Sequence, residues 1–187
     1  MSDFAQGGND HLTGGNNSGG GFLANQLYGD APFMSGHAQG GNDTLIGGNS
    51  SGSGVVENFI FGDGLTMSDF AQGGNDILIA GTQSSGGSVV NHMWGDAQVI
   101  SASAVAGHDT FVFNGNFGNQ TFVEDFHQGE DVIDLVAAHG LNFGNDLVIT
   151  KNGSDTLIHV AADPSNVITL VGFTGTLEQS DFVGLLA

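Results

Sequence analysis

The apolar residues of this chain recur singly, between polar and glycine positions, rather than in helical stripes. In Thr44-Leu45-Ile46 the middle residue stands two positions after Asp43. An apolar residue also stands two positions after an aspartate in three further segments, which gives the column Leu12, Leu45, Leu78 and Phe111. Such alternation is typical of short, half-buried β-strands.

A second set of apolar positions predicts a second strand. It lies in three matching segments, Asn25 to Asp30, Asn58 to Asp63 and Asn91 to Asp96, and its central residues are Leu27, Ile60 and Met93. The chain holds 33 glycines and its apolar runs are short, so no helical stripe can form. The pattern therefore predicts an all-β fold with two short strands and two loops in each repeat.

The pattern has a constant period of 33 residues, which separates Asp10, Asp43, Asp76 and Asp109. The match extends beyond the aspartates, because Met1 to Asp10 aligns with Met34 to Asp43 and with Met67 to Asp76. A fixed period of this length is typical of stacked coils, in which each coil buries its apolar residues only against its neighbours. We expect the equivalent residues of successive coils to form columns along one narrow core.

The two loops of a repeat differ in composition. The segment from Gly47 to Asn58 is rich in glycine and serine, which indicates a flexible surface excursion. The other loop begins at Gly62-Asp63 and ends at Asn75-Asp76, so it brings two aspartates to one edge. We expect that edge to be strongly acidic.

The chain is predicted to form one continuous domain with two parts. Residues 1–104 hold three repeats, and residues 105–187 hold a final coil, capping strands and an acidic, apolar tail. In the second part, Leu147 to Thr150 and Thr156 to Val160 flank a turn and predict a β-hairpin. The apolar, β-branched sequence of residues 167–170 predicts one more strand.

The excess of acidic over basic residues limits the classes of function that the chain could have. Asp and Glu number 20 against a single Lys or Arg, which gives a formal charge of −19. A disordered acidic tail would be poor in apolar residues, but 39% of this chain is hydrophobic. We therefore expect metal ions to neutralise many carboxylates.

Composition also argues against several classes of function. Nucleic acid and anionic membrane surfaces require lysine and arginine, so neither is an expected partner. Cysteine is absent, which leaves oxygen ligands for a metal. No apolar run is long enough to span a bilayer, so membrane insertion is not expected. Catalytic motifs lack their structural context, and we expect the chain not to be an enzyme.

The stretch Ala38-Gln39-Gly40-Gly41-Asn42-Asp43-Thr44-Leu45-Ile46 resembles the calcium-binding nonapeptide G-G-x-G-x-D-x-U-x of the repeats-in-toxin (RTX) family. It departs from that pattern at Ala38 and Gln39, where the family has glycines. The segments Gly107 to Leu135 and Leu177 to Phe182 resemble the region that precedes a type I secretion signal.

The resemblance implies a right-handed parallel β-roll, a β-solenoid of 33-residue coils with a C-terminal β cap. It implies several Ca²⁺ ions between stacked loops, held by carboxylates and loop carbonyls, and export by type I secretion machinery into the extracellular space. The predicted metal residues are Asp10, Asp43, Asp76, Asp109, Asp30, Asp63, Asp96, Gly8, Gly41, Gly74, Gly107, Asn9, Asn42 and Asn75, with a further site at Asp125, Asp131 and Asp134.

The repeat also predicts a difference between the two edges. Where a regular β-roll would repeat its aspartate, the second edge carries Asn25, Asn58 and Asn91, which we interpret as weaker, neutral ligands. Calcium is therefore expected mainly on the edge of Asp10, Asp43, Asp76 and Asp109.

Two alternative functions remain open. The chain could be the C-terminal RTX module of a larger secreted enzyme, such as a metalloprotease, lipase or alginate epimerase. It could also be an adhesin or matrix protein, in which the equivalent residues Tyr28, Phe61 and Trp94 form an aromatic column that binds extracellular polysaccharide or another protein.

Overall fold

The computed structural model describes residues 1–84, 86–136 and 139–186. In chain order the strands are β1 (His11–Thr13), β2 (Phe22–Tyr28), β3 (Phe33–Met34), β4 (Thr44–Ile46), β5 (Val55–Phe61), β6 (Gly64–Met67), β7 (Ile77–Ile79), β8 (Ser88–Trp94), β9 (Ala97–Ile100), β10 (Thr110–Phe113), β11 (Thr121–Val123), β12 (Val132–Leu135), β13 (Leu147–Asn152), β14 (Asp155–Val160) and β15 (Asp163–Leu170). One helical turn, α1 (Phe143–Asp146), and a 3₁₀ turn at Gln179–Asp181 complete the fold.

The chain forms a parallel β-solenoid of about three turns, with the predicted period of 33 residues per turn. The first sheet has the order β1-β4-β7-β10-β12, and its register places Leu12 beside Leu45, Leu45 beside Leu78 and Leu78 beside Phe111. The second sheet aligns Leu27, Ile60 and Met93 in the same way. Both predicted apolar columns are therefore confirmed.

Each of the first three coils contains a third strand that the sequence pattern did not predict. Strands β3, β6 and β9 pair in parallel as a separate three-stranded sheet. The prediction of two strands per repeat is wrong. The third strand buries a methionine, Met34 or Met67, in the first two coils and Ala97 in the third. The three strands differ in length and sequence, so no shared apolar pattern marks them along the chain.

The third sheet gives the solenoid a second, smaller core. Met34, Ala38, Met67, Ala71 and Ala97 form it, whereas the larger core lies between the first and second sheets. Within a coil the chain leaves the small core at Ala38 and reaches the large core at Leu45. The acidic motif at Asp43 lies on the passage between the two.

The glycine- and serine-rich loop follows the same stacking as the strands. Asn49 N–H donates to Asn16 Oδ1 at 2.7 Å, and Thr82 N–H donates to Asn49 Oδ1 at 2.7 Å. Ser50 is buried and forms β-bridges with Asn17 and Gln83. The prediction of a flexible excursion is wrong here, since side-chain amides carry the hydrogen-bonding register through the loop.

The C-terminal part closes the large core. Strands β13 and β14 form the predicted antiparallel hairpin, and β15 pairs with both β14 and β11. The tail folds back over them, with Leu177, Phe182 and Leu185 in the core. Ala187, the last residue of the predicted tail, lies outside the described residues. Within the described ranges, no helix is long and apolar enough to cross a membrane.

Candidate metal centre

Two columns of aspartates run along one edge of the solenoid. The first column consists of Asp10, Asp43, Asp76 and Asp109, each directly before a strand of the first sheet. The second consists of Asp30, Asp63 and Asp96, each two residues after a strand of the second sheet. In the inner coils these side chains are buried, whereas Asp10 is exposed and Asp30 half-buried in the first coil.

In the first column, each carboxylate after Asp10 accepts a hydrogen bond from the preceding coil. Oδ1 of Asp43, Asp76 and Asp109 accepts the backbone N–H of Asp10, Asp43 and Asp76 at 2.6, 2.7 and 2.8 Å. Asp131 continues this series, since its Oδ1 accepts Asp109 N–H at 3.0 Å and its Oδ2 accepts His127 N–H at 2.7 Å. The column therefore ends at Asp131, where backbone donors occupy both oxygens.

The second column bonds to the glycine motif of the following coil. The carboxylates of Asp30, Asp63 and Asp96 accept the backbone N–H groups of Gly41, Gly74 and Gly107 at 3.0, 2.9 and 2.5 Å. These bonds join each Gly-Asp segment to the next coil and place the two columns side by side. The predicted glycines thus contribute N–H donors that orient the carboxylates, and Gly8 is their equivalent in the first coil.

The remaining oxygens of most of these carboxylates are buried without a hydrogen-bond donor in the described part of the chain. They are Oδ2 of Asp43, Asp76, Asp109 and Asp63 and Oδ1 of Asp30. A buried polar atom without a partner costs about 1–3 kcal/mol, and more if it is charged. Five such oxygens repeat in two adjacent columns, so the edge is rich in buried acceptors that the described residues leave without donors.

The glycine before each aspartate of the second column makes room for these oxygens. A Cβ atom added at Gly62 would collide with Gly95 O and Asp76 Oδ2, and one at Gly29 would collide with Gly62 O and Asp43 Oδ2. A carbonyl oxygen and an unpartnered carboxylate oxygen therefore converge on the same small space in successive coils. Only glycine can line it, a role for Gly29 and Gly62 that the sequence reading missed.

Burial and mutual repulsion disfavour the ionised form of these groups in the bare protein. Desolvation, reinforced by neighbouring carboxylates, raises the pKa of Asp43 to about 6, of Asp76 to about 8 and of Asp109 to about 10. Desolvation likewise raises the pKa of Asp63 to about 10 and of Asp96 to about 6. Lys151, the only Lys or Arg in the sequence, donates to Thr156 in the cap instead.

The oxygen atoms of the two columns are suitable ligands for a hard cation, but the side chains alone do not form a complete site. Every unpartnered atom in the columns is an oxygen, as Ca²⁺ prefers. However, the described residues contain no group of three or more His, Asp or Glu side chains arranged to hold a metal ion. A Ca²⁺ ion at this edge would therefore need backbone carbonyls, such as that of Gly62, beside the carboxylates.

The asparagines of the glycine motif form a hydrogen-bonding ladder. Oδ1 of Asn9, Asn42 and Asn75 accepts the backbone N–H of Asn42, Asn75 and His108, at 2.9, 2.9 and 3.0 Å. These side chains connect neighbouring coils through hydrogen bonds. Their amide oxygens are already engaged, which leaves their backbone carbonyls as the groups available to a cation.

The opposite edge is held by a different ladder. Asn58 Oδ1 accepts from Gly48 N–H and from Asn25 Nδ2, both at 2.9 Å, while its own Nδ2 donates to Gly48 O and Asn91 Oδ1. Asn58 is completely buried and uses all of its hydrogen-bonding capacity. The interpretation of these asparagines as weak cation ligands is therefore wrong for Asn58, since its side-chain amide itself joins neighbouring coils through hydrogen bonds.

The further predicted site does not assemble as a cluster of three. Asp125 accepts the backbone N–H groups of Gly95 and Asp96 at 2.8 and 3.2 Å, so it ends the second column as Asp131 ends the first. Asp134 lies on the outer face of β12 and contacts His139 Nε2 at 2.6 Å. Asp125 and Asp131 thus cap the columns, and Asp134 belongs to a separate surface pair.

The predicted aromatic column exists, but its rings face one another. The Tyr28 and Phe61 ring centroids lie 5.0 Å apart, and those of Phe61 and Trp94 lie 4.5 Å apart, with nearly parallel planes. Phe61 and Trp94 are only 3% and 8% exposed. This geometry stabilises contact between coils and leaves no open ring face on Phe61 for a sugar.

No protein-family model matches the chain, and no curated protein matches it.

Proposed function

We propose that this chain is a calcium-binding β-solenoid module of the RTX type, which folds when Ca²⁺ occupies the acidic edge. The observation that carries the proposal is the set of five buried carboxylate oxygens without a donor among the described residues, each beside a glycine-lined space. Asp43, Asp76 and Asp109, with Asp30, Asp63 and Asp96, would supply the carboxylates, and the Gly62 and Gly95 carbonyls would add neutral oxygens.

The bound ion would supply the positive charge that the sequence lacks. Without it, ionised aspartates in adjacent coils repel one another and oppose stacking. A ligand that binds only the folded chain stabilises that state, so cation uptake and folding should be one transition. Affinities of extracellular calcium modules, about 10⁻⁴ to 10⁻³ M, would keep the chain unfolded at cytosolic calcium levels and fold it outside the cell.

We infer the cellular setting from the same argument. A chain that stays unfolded until it meets extracellular calcium suits export by type I secretion machinery, with the C-terminal tail as its signal. Co-expression with such machinery, followed by measurement of the chain in the medium, tests this step. Removal of residues 177–187 should abolish export, and undiminished export of the shortened chain would contradict it.

A calcium titration followed by far-ultraviolet circular dichroism tests the function itself. We expect a disordered spectrum in chelator, a cooperative gain of β signal in calcium, and reversal by added chelator. Magnesium is the matched control, because its smaller ion demands a regular octahedral shell that loop carbonyls do not provide. With the titration carried out at about pH 8, where the calcium-free fold is expected to be weak, a chelated chain with full β signal, or equal folding in magnesium, would refute calcium-dependent folding.

A further inference from the structure

The C-terminal cap contains a groove of about 410 Å³ that no residue of the aspartate columns lines. The helical turn α1, strand β13 and part of the tail form its walls. It is lined by four apolar side chains and one charged side chain, Phe143, Leu147, Ile149, Leu177 and Lys151. Sites for small molecules measure about 300–1,000 Å³ and are mostly apolar, with a few polar groups that fix orientation. The groove has the size and the composition of such a site.

The groove changes from apolar to charged along β13. Leu147, Ile149 and Lys151 are alternate residues of this strand and lie on the same face of the sheet. They are buried, half-buried and exposed in that order. Four residues of extended strand separate Leu147 from Lys151 by about 14 Å. A ligand that follows the strand would hold its apolar end near the core and its polar end beside solvent.

Lys151 provides a positive charge that no carboxylate of the described chain neutralises. Its ammonium donates to Thr156 Oγ1, to Phe173 O at 3.3 Å and to Gly175 O, and it lies 5.1 Å from the centroid of the Phe173 ring. All of these partners are neutral. Among the described residues, no Asp or Glu oxygen lies within 4 Å of the ammonium, although the chain has 20 acidic residues.

We propose that this groove binds a small amphiphile with an unbranched apolar chain and an anionic head group, the head at Lys151 and the tail at Leu147. Carbon–carbon bonds of about 1.5 Å advance an extended chain by about 1.3 Å each, so about ten carbons span the length of the groove. A medium-chain carboxylate such as decanoate has this length. The proposal does not depend on calcium at the acidic edge, because no carboxylate of that edge lines the groove.

The apolar tail sets the expected affinity and the head group sets the selectivity. Each buried methylene strengthens binding about fourfold, whereas an exposed ion pair adds about fivefold or less. The acidic residues next in sequence to the groove, Asp146 and Glu178, do not line it. Repulsion from more distant carboxylates is screened over about 8 Å at physiological salt. For a ligand of this size we expect a dissociation constant on the order of 100 μM.

Equilibrium dialysis of trace radiolabelled decanoate against increasing concentrations of the whole chain tests the proposal. The buffer contains calcium, the ligands stay below the solubility of their calcium salts, and circular dichroism of the same samples reports folding. Octanoate, which is two methylenes shorter, should bind about ten- to twentyfold more weakly than decanoate. Decan-1-ol, which lacks the charge, should bind about three- to fivefold more weakly.

Two results of the dialysis would overturn the proposal. They are a folded chain that does not bind decanoate, and equal binding of octanoate and decanoate. If the chain proves to be folded without calcium, the same measurement is made in that buffer. Failure of calcium-dependent folding and failure of ligand binding are therefore distinguishable.

Variants of Lys151 separate contact with the head group from support of the cap. Lys151→Gln removes the charge, so it should weaken decanoate about three- to fivefold and leave decan-1-ol unchanged. Lys151→Arg keeps the charge and should bind decanoate within about twofold of the parent. Equal weakening of both ligands by Lys151→Gln would show a structural role alone and would overturn the assignment of the head group to Lys151.

A variant that fills the groove locates the tail. A Cβ atom added at Gly144, which lines the groove, meets no atom within 4 Å, so Gly144→Leu places a side chain there without a backbone clash. It should weaken decanoate and decan-1-ol alike, by about tenfold or more, since it displaces contacts of about two methylenes. Gly19→Leu in the first coil is the control and should bind like the parent. If folded Gly144→Leu binds decanoate normally, the groove is not the site.

Discussion

Asp76 Oδ1 accepts the backbone N–H of Asp43 at 2.7 Å, while Asp76 Oδ2 is buried and has no donor in the described chain. One oxygen thus holds two coils in register, and under the proposed function the other would bind a cation. Asp43 and Asp109 show the same arrangement, with Oδ1 hydrogen-bonded to the preceding coil and Oδ2 without a donor in the described chain. The proposed function therefore assigns a structural role and a metal-binding role to the same side chain.

Asp76→Asn separates these two roles. The amide Oδ1 can still accept from Asp43 N–H, but the charge and the second carboxylate oxygen are lost. We expect the calcium midpoint of folding to rise about tenfold, since ligand charge sets calcium affinity. Asp134→Asn, on the outer face of β12, is the control and should leave the midpoint unchanged. Equal midpoints for both variants would remove Asp76 from the site.

The metal-free fold should respond to pH in the direction set by the raised pKa values. Burial raises the pKa of Asp43 and Asp96 to about 6, of Asp76 to about 8, and of Asp63 and Asp109 to about 10, whereas the unfolded value is 3.8. A group whose folded pKa is raised contributes stability that is fully present below the unfolded pKa and lost as pH rises through the folded pKa.

In calcium-free buffer, β structure should therefore be most stable near pH 4 and weaken progressively between about pH 4 and 10. The far-ultraviolet circular dichroism signal of β structure at pH 4.5 and at pH 8 measures the difference. In excess calcium the order should reverse, because protons compete with the cation for the same oxygens. A metal-free chain that is more stable at pH 8 than at pH 4.5 would contradict the burial of unpaired carboxylates.

Gly62→Ala tests the glycine-lined space. The added Cβ would collide with both Gly95 O and Asp76 Oδ2, so coil spacing or carboxylate position must change. We expect a loss of about 1–3 kcal/mol in the free energy of unfolding in calcium, measured by urea denaturation. Gly19→Ala is the matched control, because its Cβ would meet only Asn17 Oδ1, at an ordinary 3.9 Å. Similar losses in both variants would argue against a special space at Gly62.

Asn58 distinguishes a hydrogen-bonding ladder from a weak cation site. Asn58→Asp removes the Nδ2 donor to Gly48 O and Asn91 Oδ1 and buries a charge, so the unfolding free energy in calcium should fall by about 1–3 kcal/mol or more. Asn58→Ala should also destabilise, without a new calcium dependence. Tighter calcium binding by Asn58→Asp, measured by isothermal titration calorimetry, would instead make that edge a cation site.

The period and the inward residues could be predicted because they depend only on spacing. Leu45 and Ile60 stand at fixed offsets in every coil, and β-stacking requires equivalent residues to lie side by side. The strand that ends at Met67 was not predicted, because the equivalent strands β3, β6 and β9 differ in length and sequence and share no apolar pattern from coil to coil.

The sequence predicted where the acidic edge lies in each coil, but not the hydrogen bonds that its carboxylates form. Asp43 and Asp63 both carry obvious ligand chemistry, yet which oxygen pairs with which N–H depends on coil spacing, which sequence does not specify. The role of Asn58 was misread for a physical reason. An amide has the shape of a carboxylate, but its Nδ2 can also donate hydrogen bonds, so the Asn58 side chain bonds to neighbouring coils without a cation.

The most direct measurement of the central claim is an anomalous difference map from crystals of the chain grown in calcium. We predict peaks along the acidic edge beside Oδ2 of Asp43, Asp76 and Asp109, with loop carbonyls completing each shell, and none beside Asn25, Asn58 and Asn91. Well-diffracting crystals with equal peaks on both edges, or with none on the acidic edge at millimolar calcium, would contradict the account.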